Sequence, residues 1–168
     1  MRRRMLIFLA MIPLAGGCSN AAALDYNNAL AQLDRDLENA KRDFGTTLTN
    51  LAPTPHPAPR LRAKHDECLA KIVDLSRRFA ELTPPSGPEA AELHKSFDRF
   101  LTSQTTLFRD EYGGMVAAFE KKLASDEINR IVQDSLARIA IEEKRQTESL
   151  RAAQKRFADA HRLRLAAK

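Results

Sequence analysis

The chain has 168 residues, room for one domain with a core of its own but not for several. No Trp, two Tyr and six Gly, with Ala, Leu, Arg and Glu abundant, favour helices and speak against a strand-built fold. The formal charge of +5 comes from 27 basic and 22 acidic residues, yet Arg2, Arg3 and Arg4 supply three of the former, leaving the rest of the chain nearly neutral.

Those three arginines precede an apolar run from Met5 to Leu14 that ends in Ala15-Gly16-Gly17-Cys18. A basic start, a short apolar stretch and small residues before a cut form a secretory signal, and about ten apolar residues fall short of the ~20 that span a bilayer. Leu14-Ala15-Gly16-Gly17-Cys18 resembles the lipobox of bacterial lipoproteins, with Ala15 where the family usually has leucine. The resemblance covers the first twenty residues. It implies cleavage before Cys18, a diacylated Cys18 thiol and an acylated new N-terminus. An ordinary secretory signal cut near 15–17, leaving a free thiol, and a retained anchor are the alternatives. Two or three acyl chains hold a protein on a membrane almost irreversibly, since each buried methylene contributes about 0.8 kcal/mol. In two-membrane envelopes Ser19, standing where an aspartate would retain the protein at the inner membrane, implies an outer-membrane anchor facing the periplasm. The expected organisation is therefore a signal over 1–17, a lipidated tether over 18–24 and one helical domain over 25–168.

From Tyr26 the apolar positions Leu30, Leu33, Leu37, Ala40 and Phe44 recur at steps of four and three, one stripe of a helix. Gly45 offers a cap, although Leu48 and Leu51 continue the pattern. Residues 53–59 carry four prolines, which remove donors and force extended geometry, so a stiff loop follows. A second stripe runs through Leu61, His65, Cys68, Ile72, Leu75, Phe79 and Leu82. After Thr83-Pro84-Pro85, Ser86-Gly87-Pro88-Glu89 predicts a capping box that opens the third helix.

The third helix has a wider apolar face, Leu93, Phe97, Phe100, Leu101, Gln104, Leu107, Phe108, Tyr112, Met115 and Phe119, suited to two neighbours. Gly113-Gly114 predicts a kink within it. Ser125 with Asp126 and Glu127 predicts the cap of a fourth helix, led by Ile128, Val132, Leu136 and Ile139 and extended by Leu150, Ala153, Phe157 and Ala160. The expected fold is all-α: an antiparallel up-down-up-down four-helix bundle with long third and fourth helices.

Eight basic residues between Lys144 and Lys168 face only Glu148 and Asp159, so the last helix ends strongly positive. In the expected topology both termini share one end, and Arg151, Lys155, Arg156, Arg162, Arg164 and Lys168 become candidate contacts to anionic headgroups or lipopolysaccharide, each worth ~1 kcal/mol near a charged leaflet. The dull reading is a solvated helix end whose cations suit the dipole. Nucleic acid is not expected, because an exported protein rarely meets any and aromatic residues are not interleaved for base stacking.

No enzymatic site or cofactor is expected. His65 and Cys68, three apart on a helix, could share a metal, but two ligands make a weak site and His56, His94 and His161 lie far off in sequence. Packing explains them better. Asp110-Glu111 and Glu142-Glu143 lack the Glu-x-x-His partners of di-iron bundles, as do Glu89 and Glu92. No Gly-x-Ser-x-Gly elbow or phosphate loop is present in the sequence.

The function these features favour is a non-enzymatic, membrane-anchored scaffold or partner-binding module of the cell envelope, touching the membrane through its lipid and docking an envelope protein. The rival is direct anionic-surface binding by the last helix. A third reading rests on a thin resemblance to Braun's lipoprotein, carried by Cys18, Ser19 and Lys168, which implies linkage of Lys168 to peptidoglycan. Heptad stripes equally permit bundle dimers.

Overall fold

A computed structural model describes residues 11–12 and 18–165, with side chains from 21 to 163. The signal residues at 1–10 and 13–17 lie outside the described residues, as does Lys168. The fold is a helical bundle: α1 (Cys18–Leu51), α2 (Ala58–Ala80), α3 (Pro88–Leu107), a π-helical turn (Phe108–Tyr112), α4 (Gly113–Glu120) and α5 (Ser125–Ala160). Since α3, the π turn and α4 follow without a gap, the described residues form four helical rods. The only strands among the described residues, β1 (Met11–Ile12) and β2 (Arg164–Leu165), pair antiparallel over two residues.

The α1 stripe is buried from Tyr26 to Phe44, as its spacing requires. The helix nevertheless runs further in both directions. Residues 18–24, expected as a lipidated tether outside the helical domain, are helical, and Ala23 is fully buried. At the other end Gly45 does not cap: the helix runs on to Leu51, with the Thr47 and Thr49 hydroxyls folded back onto the Asp43 and Gly45 carbonyls, each at 2.9 Å, and Leu51 buried. Pro53 then stops it.

Helix α2 buries Leu61, His65, Cys68, Ile72, Leu75 and Phe79. It takes in the last two residues of the segment expected as a loop, Ala58 and Pro59, because Pro59 stands in the first turn, where a missing N–H is no loss.

Both predicted caps are displaced. Helix α3 is capped by Gly87 at φ 124°, a value open only to glycine, with Pro88 as first helical residue; Ser86 and Glu89 form no capping box. Helix α5 starts at Ser125 with Ala124 as N-cap, so the Ser125 hydroxyl is one position too late to cap, while Asp126 and Glu127 stand in the first turn as predicted.

The kink expected at Gly113-Gly114 is replaced by the π turn just before them. Helix geometry continues through both glycines, with Gly113 at φ −62°. The widened turn is seated in a ring cluster, where Phe44, His65, Phe108 and Tyr112 pack with centroids 4.8 to 5.9 Å apart. Burial of large rings at about 2 to 3 kcal/mol each outweighs the irregular backbone.

Leu150, Ala153 and Phe157 of α5 are buried, but Ile128, Val132 and Leu136 are only half-buried and Ala160 is exposed. The helix ends with Arg162 at φ 53° and the Leu163 N–H returning 2.8 Å to the Ala158 carbonyl, which seats Leu163 in the core. The whole described core lies between Ala23 and Leu163, so a chain beginning at residue 18 retains all of it.

Candidate functional site

The start of α1 meets the end of α5. Tyr26 lies edge-on to Phe157 at 6.1 Å, and the Gln154 amide donates to Asn27 Oδ1 at 3.2 Å. Tyr26 also contacts His94 at the start of α3, its hydroxyl 2.8 Å from Nδ1, and His94 stacks on Phe79 at the end of α2. The other end of α1 meets the start of α2 and the π turn, through Phe44, His65 and Phe108.

Cys18 opens α1, eight residues before Tyr26 and so about 12 Å along the helix from the Phe157 contact. The basic residues near the end of α5 lie on the side of the bundle where α1 begins, although not all are free. Lys155 pairs with Asp159 at 2.7 Å and Arg156 with Glu92 at 3.5 Å; Arg151 and Arg162 are exposed. Arg164 sits in β2.

The candidate metal pair is absorbed by packing. His65 is 3% exposed, and its Nε2 donates to the Phe108 carbonyl at 3.1 Å while Nδ1 faces Asp66 Oδ1 at 3.1 Å. Cys68 is fully buried, which pushes its thiol above the usual range. Of the other histidines, His56 lies exposed in the proline loop and His161 packs its ring 4.5 Å from Phe157. Among the described residues no three His, Cys, Asp or Glu side chains converge on a metal position.

The paired carboxylates diverge. Glu142 accepts from Arg145, Gln146 and Ser103, which hold its carboxyl down at about 2. Glu143 turns inward to Lys41. Glu111 is clasped by Arg138 at 2.8 and 2.9 Å, whereas Asp110 is exposed.

Sequence reasoning missed a buried polar seam. Asn27, Asp34 and Lys41 stand seven residues apart on α1, immediately after the stripe positions Tyr26, Leu33 and Ala40. Asn27 is 0% and Asp34 2% exposed, and the Lys41 side chain 12%. Lys41 is ion-paired to Glu143 of α5 and Glu38, and donates to Gln104 of α3 at 3.1 Å. Burial opposes the Lys41 charge, but Glu143 and Glu38 outweigh it and raise its pKa. Asp34 Oδ1 has no protein partner; burial, reinforced by Glu38 and opposed by Lys41 and Arg35, lifts that carboxyl to about 7. The heptad spacing of polar residues was the available signal.

Among the described residues, three clefts stand out. The α1–α2 groove, about 780 Å³, carries opposite charges that pair across it, Arg78 with Asp36 at 3.0 Å and Lys71 with Asp43 at 3.8 Å. A groove of about 700 Å³ between α3 and α5 is edged by hydroxyls and by the Glu142–Arg145 pair. The third, about 940 Å³, lies between the proline loop and the α4–α5 turn, with Pro53, Pro57, Phe119, Leu123 and Ile128 in its wall. Arg62 and Glu120 form a two-bond pair there at 2.8 and 2.9 Å.

No helix among the described residues is long and apolar enough to cross a membrane. Fold and surface define a helical-bundle module with an apolar-lined cleft beside the proline loop. Comparison with family models, curated proteins and solved structures finds no match.

Proposed function

We propose that this protein is a lipid-anchored envelope module: an antiparallel up-down-up-down four-helix bundle, acylated at Cys18, that holds a non-enzymatic docking surface away from the outer membrane and toward the periplasm. Supporting the topology, contacts between successive rods pair rising residue numbers with falling ones: 36 with 78 and 44 with 65, 79 with 94 and 65 with 108, then 111 with 138 and 92 with 156. Such a bundle returns its last helix to the pole where the first begins.

The observation that carries the reading is the Asn27–Gln154 and Tyr26–Phe157 contact, which sets the basic end of α5 beside the beginning of α1. An acyl group on Cys18 then brings Arg151 and Arg162 toward headgroups as auxiliary contacts. The proline loop lies beyond the far end of α1, whose 34 residues span about 50 Å. A scaffold role suits carboxylates that are committed to separate ion pairs instead of converging on a reaction centre.

Anionic-surface binding as the whole function is less well supported, because Lys155 and Arg156 already neutralise against Asp159 and Glu92. The deciding measurement is the intact mass of the protein extracted from membranes. Loss of residues 1–17 with a diacylglyceryl group and a further acyl chain on Cys18 is the expected result; a bare Cys18 overturns it.

A further inference from the structure

We propose that the cleft between the proline loop and the α4–α5 turn binds an extended, apolar peptide segment carrying acidic side chains, supplied by a partner protein. This deepens the docking reading above but does not depend on acylation of Cys18. The cleft has the size and mainly apolar lining of a ligand site, about 940 Å³. It is open on one side, so a free acyl chain would leave much of itself in water. A peptide fits better, since it can insert alternate apolar side chains against Phe119, Leu123 and Ile128 and leave its backbone solvated.

Charge selects the acidic version. The charged side chains in the wall are Arg62, Lys122 and Glu120, and both Glu120 oxygens are taken by Arg62. Lys122 is exposed and supplies the excess positive charge. Helix α2 begins at this cleft with neither a side-chain cap nor an acid in its first turn, so its dipole adds the same sign, whereas α5 begins there with Asp126 and Glu127 offsetting its own.

Backbone conformation gives an independent sign. Three non-glycine residues in the described structure have positive φ, and two of them, His56 and Lys122, both at 53°, line this one cleft from separate loops. Lys122 follows the last turn of α4, a position where glycine is the natural choice. A lysine there is poor for stability, and a contact with an acidic side chain of the bound peptide would give it a reason.

The test is selection of a random dodecapeptide phage library on residues 18–168 carrying Cys18→Ser, with the enriched peptides measured by fluorescence anisotropy. Enrichment of Asp and Glu interspersed with Leu, Ile or Phe is expected. Lys122→Gly should weaken those peptides at least fivefold while leaving or raising the melting temperature, and Ile128→Ser should weaken them at least tenfold. No enriched composition, an enriched basic composition, or affinity indifferent to both substitutions overturns the proposal. Failure here leaves the mass of Cys18 untouched, so the two readings fall separately.

Discussion

His65 on α2 donates from Nε2 to the Phe108 carbonyl, 3.1 Å away, the same oxygen that accepts the Gly113 N–H across the π turn. A carbonyl has two lone pairs, and here one serves the helix and the other a neighbouring rod. The contact explains a histidine on an otherwise apolar stripe: it ties α2 to the irregular turn while its ring stacks on Phe108 at 5.2 Å.

Replacing that donor should be expensive. His65→Leu keeps the volume but leaves the Phe108 carbonyl with the Gly113 N–H alone, and a loss of about 0.5 to 1.5 kcal/mol is expected in urea unfolding. His65→Gln, which can still donate, should lose less. Equal stability for the wild type and the Leu variant would show that the bond is without consequence.

Asp34 should make stability fall as pH rises. Its folded pKa, about 7, lies above the ordinary 3.8, so the folded state holds the proton more tightly than the unfolded chain. The stabilisation is fully present below about pH 4 and is lost as pH rises through about 7, with a ceiling of about 4 kcal/mol for a shift near three pH units. Asp34→Asn should be more stable than the wild type at pH 8 and should remove this slope between pH 5 and 8. An unchanged slope in denaturant titrations at the two pH values would count against it.

Lys41 and Glu143 should be strongly coupled. Lys41→Met leaves Glu143 facing the seam without its counter-charge, and a loss of about 3 kcal/mol is expected. Adding Glu143→Leu should restore much of it. Additive losses in the double-mutant cycle would mean the two do not act as a pair.

Removing residues 1–17 should matter little to the fold. It deletes β1 and its two-residue ladder with β2, but no residue of the described core. The melting temperature of residues 18–168 carrying Cys18→Ser should lie within about 5 °C of the full chain in detergent. A fall of more than 10 °C would give the ladder a structural role.

Gly113→Ala and Gly114→Ala should each stabilise the protein. Both glycines continue a helix, a Cβ on Gly114 meets nothing within 4 Å, and one on Gly113 reaches His65 Nε2 at an ordinary 3.5 Å. Alanine is favoured by about 0.5 to 1 kcal/mol in a helix interior, readable as a rise in melting temperature. A loss at both positions would mean that the π turn needs glycine after it.

Helical class and the buried stripes of α1 and α2 were legible from spacing alone, because a residue three or four places on returns to the same helix face whatever it packs against. Proline placement likewise bounded the loops, since a missing N–H is a local fact. The candidate site was less legible. His65 and Cys68 could be placed on one face by counting, but only the neighbouring rod showed that His65 spends its Nε2 on Phe108.

Cap positions, the π turn and the polar seam were decided in three dimensions. Ser86 and Ser125 have capping chemistry, yet whether a hydroxyl reaches an amide depends on where the helix is made to start, and packing sets that to within one residue. Asp34 reads as an ordinary helix acid until α1 is laid against its neighbours and water is excluded from it. The cleft joins residues near 56 to residues near 122, a juxtaposition no local pattern encodes. Periodicity is a property of one helix, whereas burial, pairing and concavity belong to the space between helices, and that space exists only once the chain has folded.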